Sequence, residues 1–378
     1  MSSSAPSSSS LSDSSLSRPV IRVAIAGIGN CAGSLFDGIA FYRANPHCNA
    51  GLLFPTLAGY RVSDIELVAG FDISADKVGK RLSDAIEAPP NNFVRTSEMS
   101  MTCDALVYRA PTLDGNPPHL ARFVTESPRE PENVAEILRQ TCTDVLLNLL
   151  PTGSLEASEF YASMALEARC AFVNCIPSIL AQRDDLRNAF ARYNLPILGD
   201  DIKSQVGTTI LHRTLLHMLE SRGAVLRSTS QINIGGNTDF ANFVHRGETK
   251  LESKRKSLSR YTELAASHVG HHYDPTRGAF KHAIIDIEAE VFGRSPVKIA
   301  VRLESDDKPN SAGSIVDVIR IAKGAMDRSI SGVIPEACAY YFKSPPSSLD
   351  DGVAFDLIKK NWNGPGFSGN GKGAHDCR

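Results

Sequence analysis

The chain has 378 residues, with 40 lysines and arginines against 42 aspartates and glutamates and a formal net charge of −2. A single hydrophobic core stops growing at roughly 250–300 residues, so a chain of this length is expected to form two domains. The balanced charge gives no bulk attraction to nucleic acid or to a membrane surface, and no apolar run approaches the roughly 20 residues of a membrane helix. Small molecules are therefore the expected ligands.

Both ends of the chain lack hydrophobic periodicity. Residues 1–18 are mostly Ser, Ala and Pro, and residues 361–378 are rich in Gly. Neither segment can bury enough apolar surface to offset the entropy of ordering, which predicts a disordered N-terminal tail and a flexible C-terminal tail. The eight cysteines form no C-x-x-C pair and no signal peptide precedes them, which predicts reduced thiols in a cytoplasmic protein.

Between these ends, short apolar runs alternate with helical patterns. The predicted strands of this region are 21–26, 65–71, 144–150, 170–174 and 195–199. The predicted helices are 134–140, 155–167 and 184–193. This alternation is typical of βαβ units, so we expect a parallel sheet in a first domain over 19–224.

From residue 225 the pattern changes to strands whose apolar and polar residues alternate. These predicted strands are 225–234, 283–291 and 297–303. They favour an antiparallel or mixed sheet in a second, α+β domain over 225–309. A helical pattern over 311–323 has an apolar face that could return to the first domain, so residues 310–360 are expected to complete it. The predicted fold class is therefore α/β.

An apolar strand near the start of the first domain runs directly into a glycine turn. The strand Ile21–Ala26 is followed by Gly27 and Gly29, with alanine at the third position of the pattern and with Asn30 and Cys31 inside it. Bare backbone at such a turn lets a pyrophosphate approach the N-terminus of the next helix. The motif predicts a Rossmann-type domain that binds a dinucleotide. The alternative is a glycine turn in an α/β fold that binds no ligand.

A dinucleotide site also needs an acid at the end of its second strand to bind the adenosine ribose. Asp72 stands at that point, but it comes roughly twice as late as the usual 20 or so residues. Residues 45–64 must therefore form an insertion between the turn and the acid. A carboxylate there favours NAD over NADP, because it would repel a 2′-phosphate.

Further motifs follow in order along the chain. Besides the glycine turn and Asp72, they occupy 150–154, 199–209, 233–240, 251–254, 310–317 and 341–346. From about residue 20 to 350 the sequence resembles the myo-inositol-1-phosphate synthase family in its bacterial and archaeal form. The resemblance implies a homotetramer with an NAD-binding Rossmann domain and a catalytic domain whose sheet makes oligomer contacts.

The resemblance also implies a reaction without net oxidation or reduction. The family converts D-glucose 6-phosphate to 1D-myo-inositol 3-phosphate with a bound NAD that is reduced and reoxidised in each turnover. Oxidation of C5 acidifies the C6 protons, the enolate attacks the C1 aldehyde, and the stored hydride returns to C5. Each step moves a proton or creates an oxyanion, so ammonium groups around the sugar would supply acid–base and electrostatic catalysis.

The functional residues of the family carry over to definite positions. The implied catalytic residues are Lys203, Lys254, Lys281, Lys343, Asp239 and Asp317. The implied cofactor-binding residues are Gly27, Gly29, Asn30, Cys31, Asp72, Pro151, Gly153, Ser154 and Asp201. Taken singly, a lysine is most often a solvated surface charge, and Lys281 lies in the segment that matches the family least well.

The sequence leaves a metal requirement open. Some members of the family use a monovalent or divalent cation near the nicotinamide, and Asp317 could serve it. His268, His271 and His272 form a cluster without a fourth ligand at zinc spacing, which favours a solvated loop over a metal site.

The chain departs from the family at one position. The family pairs two lysines four residues apart, whereas Lys254 is followed at that spacing by Leu258. Loss of one preorganised donor to a developing oxyanion costs about 3–4 kcal/mol of transition-state stabilisation. Either a substitute cation such as Lys256 or Arg260 takes its place, or the substrate has changed.

Three hypotheses follow from this departure. The first is the family's reaction on glucose 6-phosphate. The second is a specialised relative that forms a cyclopentane from fructose 6-phosphate, in which the oxyanion develops elsewhere on the sugar. The third is an NAD-binding protein without catalytic activity, against which the retained lysines argue.

Overall fold

The computed structural model describes residues 19–95, 102–246, 258 and 266–364. The predicted N-terminal tail, 1–18, lies outside these ranges. Helices and strands are numbered below in chain order.

A parallel sheet forms the larger layer. In the described part of the chain its seven strands are β1 (Ile21–Ala26), β4 (Ile65–Asp72), β5 (Val107–Arg109), β6 (Val145–Asn148), β7 (Ala171–Asn174), β8 (Pro196–Leu198) and β13 (Gly332–Val333). Their order is β13-β8-β7-β6-β1-β4-β5, and all the pairings are parallel. The strand order reverses between β1 and β6, which opens a crevice at their carboxyl ends.

Helices cover both faces of this sheet. They are α1 (Asn30–Ala44), α2 (Leu82–Ala85), α3 (Val134–Gln140), α4 (Leu155–Ala168), α5 (Asp184–Arg192) and α8 (Asp307–Asp327). Alternate residues of β1 divide between two hydrophobic clusters, because successive side chains of a strand point to opposite faces. Ile25 packs with Ile39 of α1 and Ile319 of α8, whereas Ala24 packs with Leu138 of α3 and with residues of α4 and α5.

A second, mixed sheet follows. Within the described ranges its four strands are β9 (Val225–Gly235), β10 (Ala266–Tyr273), β11 (Lys281–Glu290) and β12 (Pro296–Ser305), in the order β10-β9-β11-β12. β10 is parallel to β9, and the other pairings are antiparallel. Helix α6 (Thr208–Ser221) packs on this sheet through Leu216 and Leu219, and α7 (Thr238–Arg246) follows β9.

The chain then returns to the first sheet. After α8, β13 joins the sheet beside β8, and α9 (Pro335–Tyr341) and α10 (Asp351–Trp362) follow. The sequence predicts a flexible tail from residue 361, but α10 extends to Trp362. The indole of Trp362 is buried, and the Trp362 carbonyl accepts a hydrogen bond from the Ala58 amide at 2.8 Å. Ala58 lies between β2 (Thr56–Leu57) and β3 (Tyr60–Arg61), a small hairpin inside the predicted insertion.

The predicted fold class is confirmed: an α/β protein with a parallel sheet and a second, mixed sheet. The predicted strands and helices correspond to observed ones with shifts of a few residues at their ends, although the predictions include neither α6 nor β10. Cys142 is disulfide-bonded, so the prediction of reduced thiols is wrong for this residue. No helix in the described ranges is both long and apolar enough to cross a membrane.

Candidate active site

A cleft lies at the carboxyl edge of the parallel sheet. Its walls come from the starts of α1, α6, α7 and α8, from the loops after β6, β7 and β8, and from β10 and β11. Of the residues proposed from the sequence, it brings together Cys31, Asp201, Lys203, Asp239, Lys281 and Lys343. A parallel sheet ends all its strands at one edge, so residues distant in sequence meet there.

The glycine turn forms one end of this site. Gly27 has φ +91°, and a Cβ there would lie 2.7 Å from the carbonyl oxygen of Leu149, so this close approach of two backbones requires glycine. Gly29 precedes the first residue of α1 and provides no side-chain cap, and the space beside it is open to 4 Å among the described residues. Asn30 holds the turn by accepting a hydrogen bond from the Asn92 amide at 2.6 Å. The amides of α1 are therefore accessible to a phosphate group.

Asp72 lies beside this turn at the end of β4. Its Oδ2 accepts a hydrogen bond from the Ile28 amide at 2.9 Å, and its Oδ1 accepts one from the Ser74 amide at 2.9 Å. The buried ammonium of Lys77 lies 3.9 Å from Oδ2. The carboxylate thus stands next to the glycine turn despite the long insertion that separates them in sequence.

The residues after β6 form the start of α4, which is already capped. Pro151 precedes Gly153, which has φ +90° and contacts the side chain of Arg246, and Ser154 is fully buried at the N-cap. The carboxylate of Asp114 accepts hydrogen bonds from the first-turn amides of Glu156 at 2.9 Å and Ala157 at 3.0 Å. A second anion at this helix end would meet that negative charge.

Two lysines of the cleft are paired with carboxylates. In each pair one residue lies in the loop after β8, and the other lies in the segment that returns to the first sheet. Lys343 donates to Asp201 Oδ1 and to the Ile202 carbonyl, both at 2.8 Å. Lys203 donates to the Ala339 carbonyl at 2.8 Å and to Asp351 Oδ1 at 3.1 Å. Burial lowers the pKa of Lys203 to about 8, although the Asp351 carboxylate opposes this change.

Two more lysines lie where β11 meets α8. Lys281 lies 2.5 Å from Asp307 Oδ2, and Lys308 lies 2.9 Å from Asp306 Oδ1 and 2.9 Å from the Ala279 carbonyl. Each lysine that lines the described part of the cleft therefore has a carboxylate partner, which offsets the cost of burying its charge.

The start of α6 supplies a further polar feature. Gly207 precedes this helix without a side-chain cap. The hydroxyl of Thr208, the first residue of the helix, is buried and has no hydrogen-bond partner among the described residues. Both residues line the cleft, so this helix N-terminus faces it with unpaired donors.

Asp317 is not brought to the cleft. It is buried within α8, forms an ion pair with Arg320, and accepts a hydrogen bond from the Tyr341 hydroxyl at 2.9 Å. Burial raises its pKa, although Arg320 opposes this change. Within the described ranges, no group of three or more His, Cys, Asp or Glu side chains could hold a metal ion.

Lys254 lies outside the described residues, as do Lys256 and Arg260. Leu258 is described, is 2% exposed, and packs in a hydrophobic cluster with Leu216 of α6 and with residues of β10 and β11. Leu216 is eight positions along α6 from Thr208, or roughly 12 Å at 1.5 Å per residue. Position 258 therefore belongs to an apolar layer at some distance from the helix N-terminus that faces the cleft.

Lys308, Thr208 and Asp351 were not among the site residues predicted from the sequence. A signal for Lys308 is present, because it follows two aspartates much as Lys203 follows Asp200 and Asp201. No local signal identifies Asp351, since its role depends on a contact across 148 residues.

Known proteins resemble the chain over most of its length. Residues 207–308 match a family model described as myo-inositol-1-phosphate synthase. The inositol-3-phosphate synthase of Corynebacterium glutamicum is 42% identical over 360 residues, which cover 91% of this chain and 98% of that protein. The chain belongs to the myo-inositol-1-phosphate synthase family. The enzyme of the same description from Mycolicibacterium smegmatis is 42% identical over 349 residues, or 88% of this chain and 95% of that one.

A solved structure shares the fold over most of the chain. The crystal structure of Ari2 superposes with a TM-score of 0.75 at 33% identity, covering 90% of this chain and 98% of that one. The family's inositol-3-phosphate synthases are intramolecular lyases, and the chain is an isomerase of that class.

Proposed function

We propose that the protein converts D-glucose 6-phosphate to 1D-myo-inositol 3-phosphate with a bound NAD. The relatives named inositol-3-phosphate synthase at 42% identity support this assignment. The observation that carries it is one cleft that joins the glycine turn of α1 with paired lysines and with the open N-terminus of α6.

The residues of the glycine turn fit NAD. The open space beside Gly29 and the uncapped amides of α1 suit a pyrophosphate, and the Asp72 carboxylate next to them can accept hydrogen bonds from ribose hydroxyls. When bound, NAD supplies the hydride acceptor for C5 of the sugar and returns that hydride at the end of turnover. Cys31, Pro151, Gly153 and Ser154 would surround it.

The phosphate of the sugar fits the N-terminus of α6. That helix end offers amides without a side-chain cap and a Thr208 hydroxyl that has no hydrogen-bond partner among the described residues, and helix N-termini favour anions. The start of α4 is less suitable, because Asp114 already occupies its first-turn amides. The sugar ring would then lie among the lysines between α6 and the glycine turn.

The lysines would move protons and stabilise oxyanions. Lys203 has a pKa of about 8, so an appreciable fraction is a neutral amine near neutral pH and can accept a proton from C6 of the sugar. Lys281 and Lys343 would donate hydrogen bonds to the oxyanions that develop at C5 and C1. Two further residues would complete the catalytic set: Asp239, which lines the cleft, and Lys254, whose role the resemblance to the family implies.

Leu258 is not part of the described lining of the cleft. The leucine packs in the apolar cluster of α6 and the second sheet, so it does not reshape the described lining of the cleft. We further propose the homotetramer and the cytoplasmic location that the resemblance implies. Light scattering of the purified protein tests the first of these.

The test is turnover by the purified protein with NAD at catalytic concentration. We expect glucose 6-phosphate to give an inositol phosphate, identified by mass and NMR, with no accumulation of NADH in absorbance. Lys343→Met should abolish turnover. A cyclopentane product from fructose 6-phosphate would establish the specialised relative instead. NADH formed in proportion to turnover would indicate a plain dehydrogenase, and turnover of neither sugar would favour the inactive NAD-binding protein.

A further inference from the structure

One cation of the cleft is absent from the set that the resemblance implies. Lys308 lines the cleft, and its side chain is 4% exposed. Its ammonium contacts the Ala279 carbonyl and Asp306 Oδ1, each at 2.9 Å. An ammonium has three donors, and the third N–H of Lys308 has no acceptor in the described part of the chain.

The first turn of α8 places Lys308 beside the N-terminus of α6. Two residues beyond Lys308, the Asn310 carbonyl accepts a hydrogen bond from the Gln205 amide at 3.0 Å, and Asn310 Oδ1 accepts one from the Val206 amide at 2.9 Å. The loop held in this way ends at Gly207, the residue before α6. The two helix starts therefore form one wall of the cleft.

Lys308 adds a fourth ammonium to the described lining of the cleft, beside those of Lys203, Lys281 and Lys343. A phosphate monoester brings about −1.5 to −2 charges near neutral pH. Partial exclusion of water strengthens the attraction between such a group and a nearby ammonium.

We propose that Lys308 binds the substrate phosphate. The inference rests on the proposed function for the identity of the sugar, but the phosphate contact itself does not. Lys281, Lys203 and Lys343 are already part of the set implied by the family, which leaves Lys308 as the additional charge.

The test compares Lys308→Met and Lys308→Arg with Lys323→Met. Lys323 lies on the same helix and forms ion pairs with Asp144 and Asp327, so its variant removes a paired lysine that does not line the cleft. Two quantities are measured on the NAD-loaded protein: the dissociation constant of inorganic phosphate by calorimetry, and kcat and KM for glucose 6-phosphate.

We expect Lys308→Met to raise the phosphate dissociation constant and KM about 10- to 100-fold with a much smaller change in kcat. Lys308→Arg should retain most of the affinity, and Lys323→Met should match the wild type. Unchanged phosphate affinity in a folded Lys308→Met variant would overturn the proposal. So would an equal loss of phosphate affinity in all three variants, because that would reflect the stability of α8. Wild-type protein that binds phosphate through Lys308 but does not cyclise glucose 6-phosphate would refute the proposed function and support the phosphate contact.

Discussion

Lys203 and Asp351 form a partly buried ion pair between the loop after β8 and helix α10, with Lys203 Nζ 3.1 Å from Asp351 Oδ1. Arg213 of α6 lies 3.3 Å from the other oxygen of the same carboxylate. Burial lowers the pKa of Lys203 to about 8, and Asp351 opposes this change. A carboxylate on α10 therefore adjusts the proton affinity of a lysine in the cleft.

Asp351→Asn is expected to lower the pKa of Lys203 further, because the amide keeps a hydrogen-bond acceptor and loses the negative charge. If neutral Lys203 accepts the substrate proton, the rising limb of kcat/KM against pH moves to lower pH, by roughly 0.5–1 pH unit. Asp356→Asn is the control, since Asp356 is on the same helix and its side chain is 79% exposed. A profile that does not move would show that Lys203 does not titrate in the catalytic cycle.

Thr208→Val tests the phosphate site at α6. The substitution keeps the shape of the side chain and removes the unpaired hydroxyl, so KM for glucose 6-phosphate should rise by roughly 5- to 20-fold with kcat nearly unchanged. Thr214→Val on the same helix is the control, because the Thr214 hydroxyl donates a hydrogen bond to the Ile210 carbonyl of its own helix. Equal kinetics for the two variants would place the phosphate elsewhere.

Leu258→Lys places an ammonium among Leu216, Ile285 and Ile287. We expect a loss of roughly 2–5 kcal/mol in the free energy of unfolding, similar to the loss of a buried leucine, with no gain in turnover of glucose 6-phosphate. Urea unfolding measures the first, and Leu258→Met should cost less than about 1.5 kcal/mol. A stable Leu258→Lys variant with higher activity would mean that this side chain reaches the cleft.

Asp72 is expected to make the protein prefer NAD to NADP. Calorimetry should give the tighter dissociation constant for NAD, because the carboxylate repels a 2′-phosphate. Asp72→Asn should reduce this preference by about 10-fold or more. Asp76→Asn, an exposed neighbour, should not change it. Tighter binding of NADP by the wild type would remove Asp72 from the ribose site.

Asp200 should make stability depend on pH. Burial raises its pKa to about 7 even though Asn174, Leu180 and Ala181 donate hydrogen bonds to it. The folded state then binds more protons than the unfolded state between the two pKa values. This contribution to stability is complete below about pH 4 and is lost as pH rises through about 7.

Asp200→Asn should therefore flatten the fall in unfolding free energy between pH 5 and 7, a slope of at most about 1.4 kcal/mol per pH unit. Urea unfolding across this range measures the slope. Asp104→Asn, at an exposed site, should leave it unchanged. An identical slope in Asp200→Asn would show that the group ionises equally in both states.

Local patterns predicted the strands and helices in which apolar residues recur at a regular spacing. They did not predict β10, whose sequence contains three histidines and a glycine and becomes a strand through its parallel pairing with β9. They also predicted a flexible tail from residue 361, whereas the indole of Trp362 is buried in the same hydrophobic cluster as Ala58. In both cases a contact with a distant segment supplied the order.

The sequence by itself determined the local chemistry of the site. Gly27 is set by its own turn, because its φ of +91° favours glycine, and Asp72 follows from the end of a strand that the apolar pattern predicts. Only the tertiary structure paired Lys203 with Asp351 across 148 residues, put Lys308 at the cleft, and put Leu258 into an apolar layer. The physical reason is that charge pairing and burial depend on distances between side chains, which the folded chain sets and which residue spacing does not.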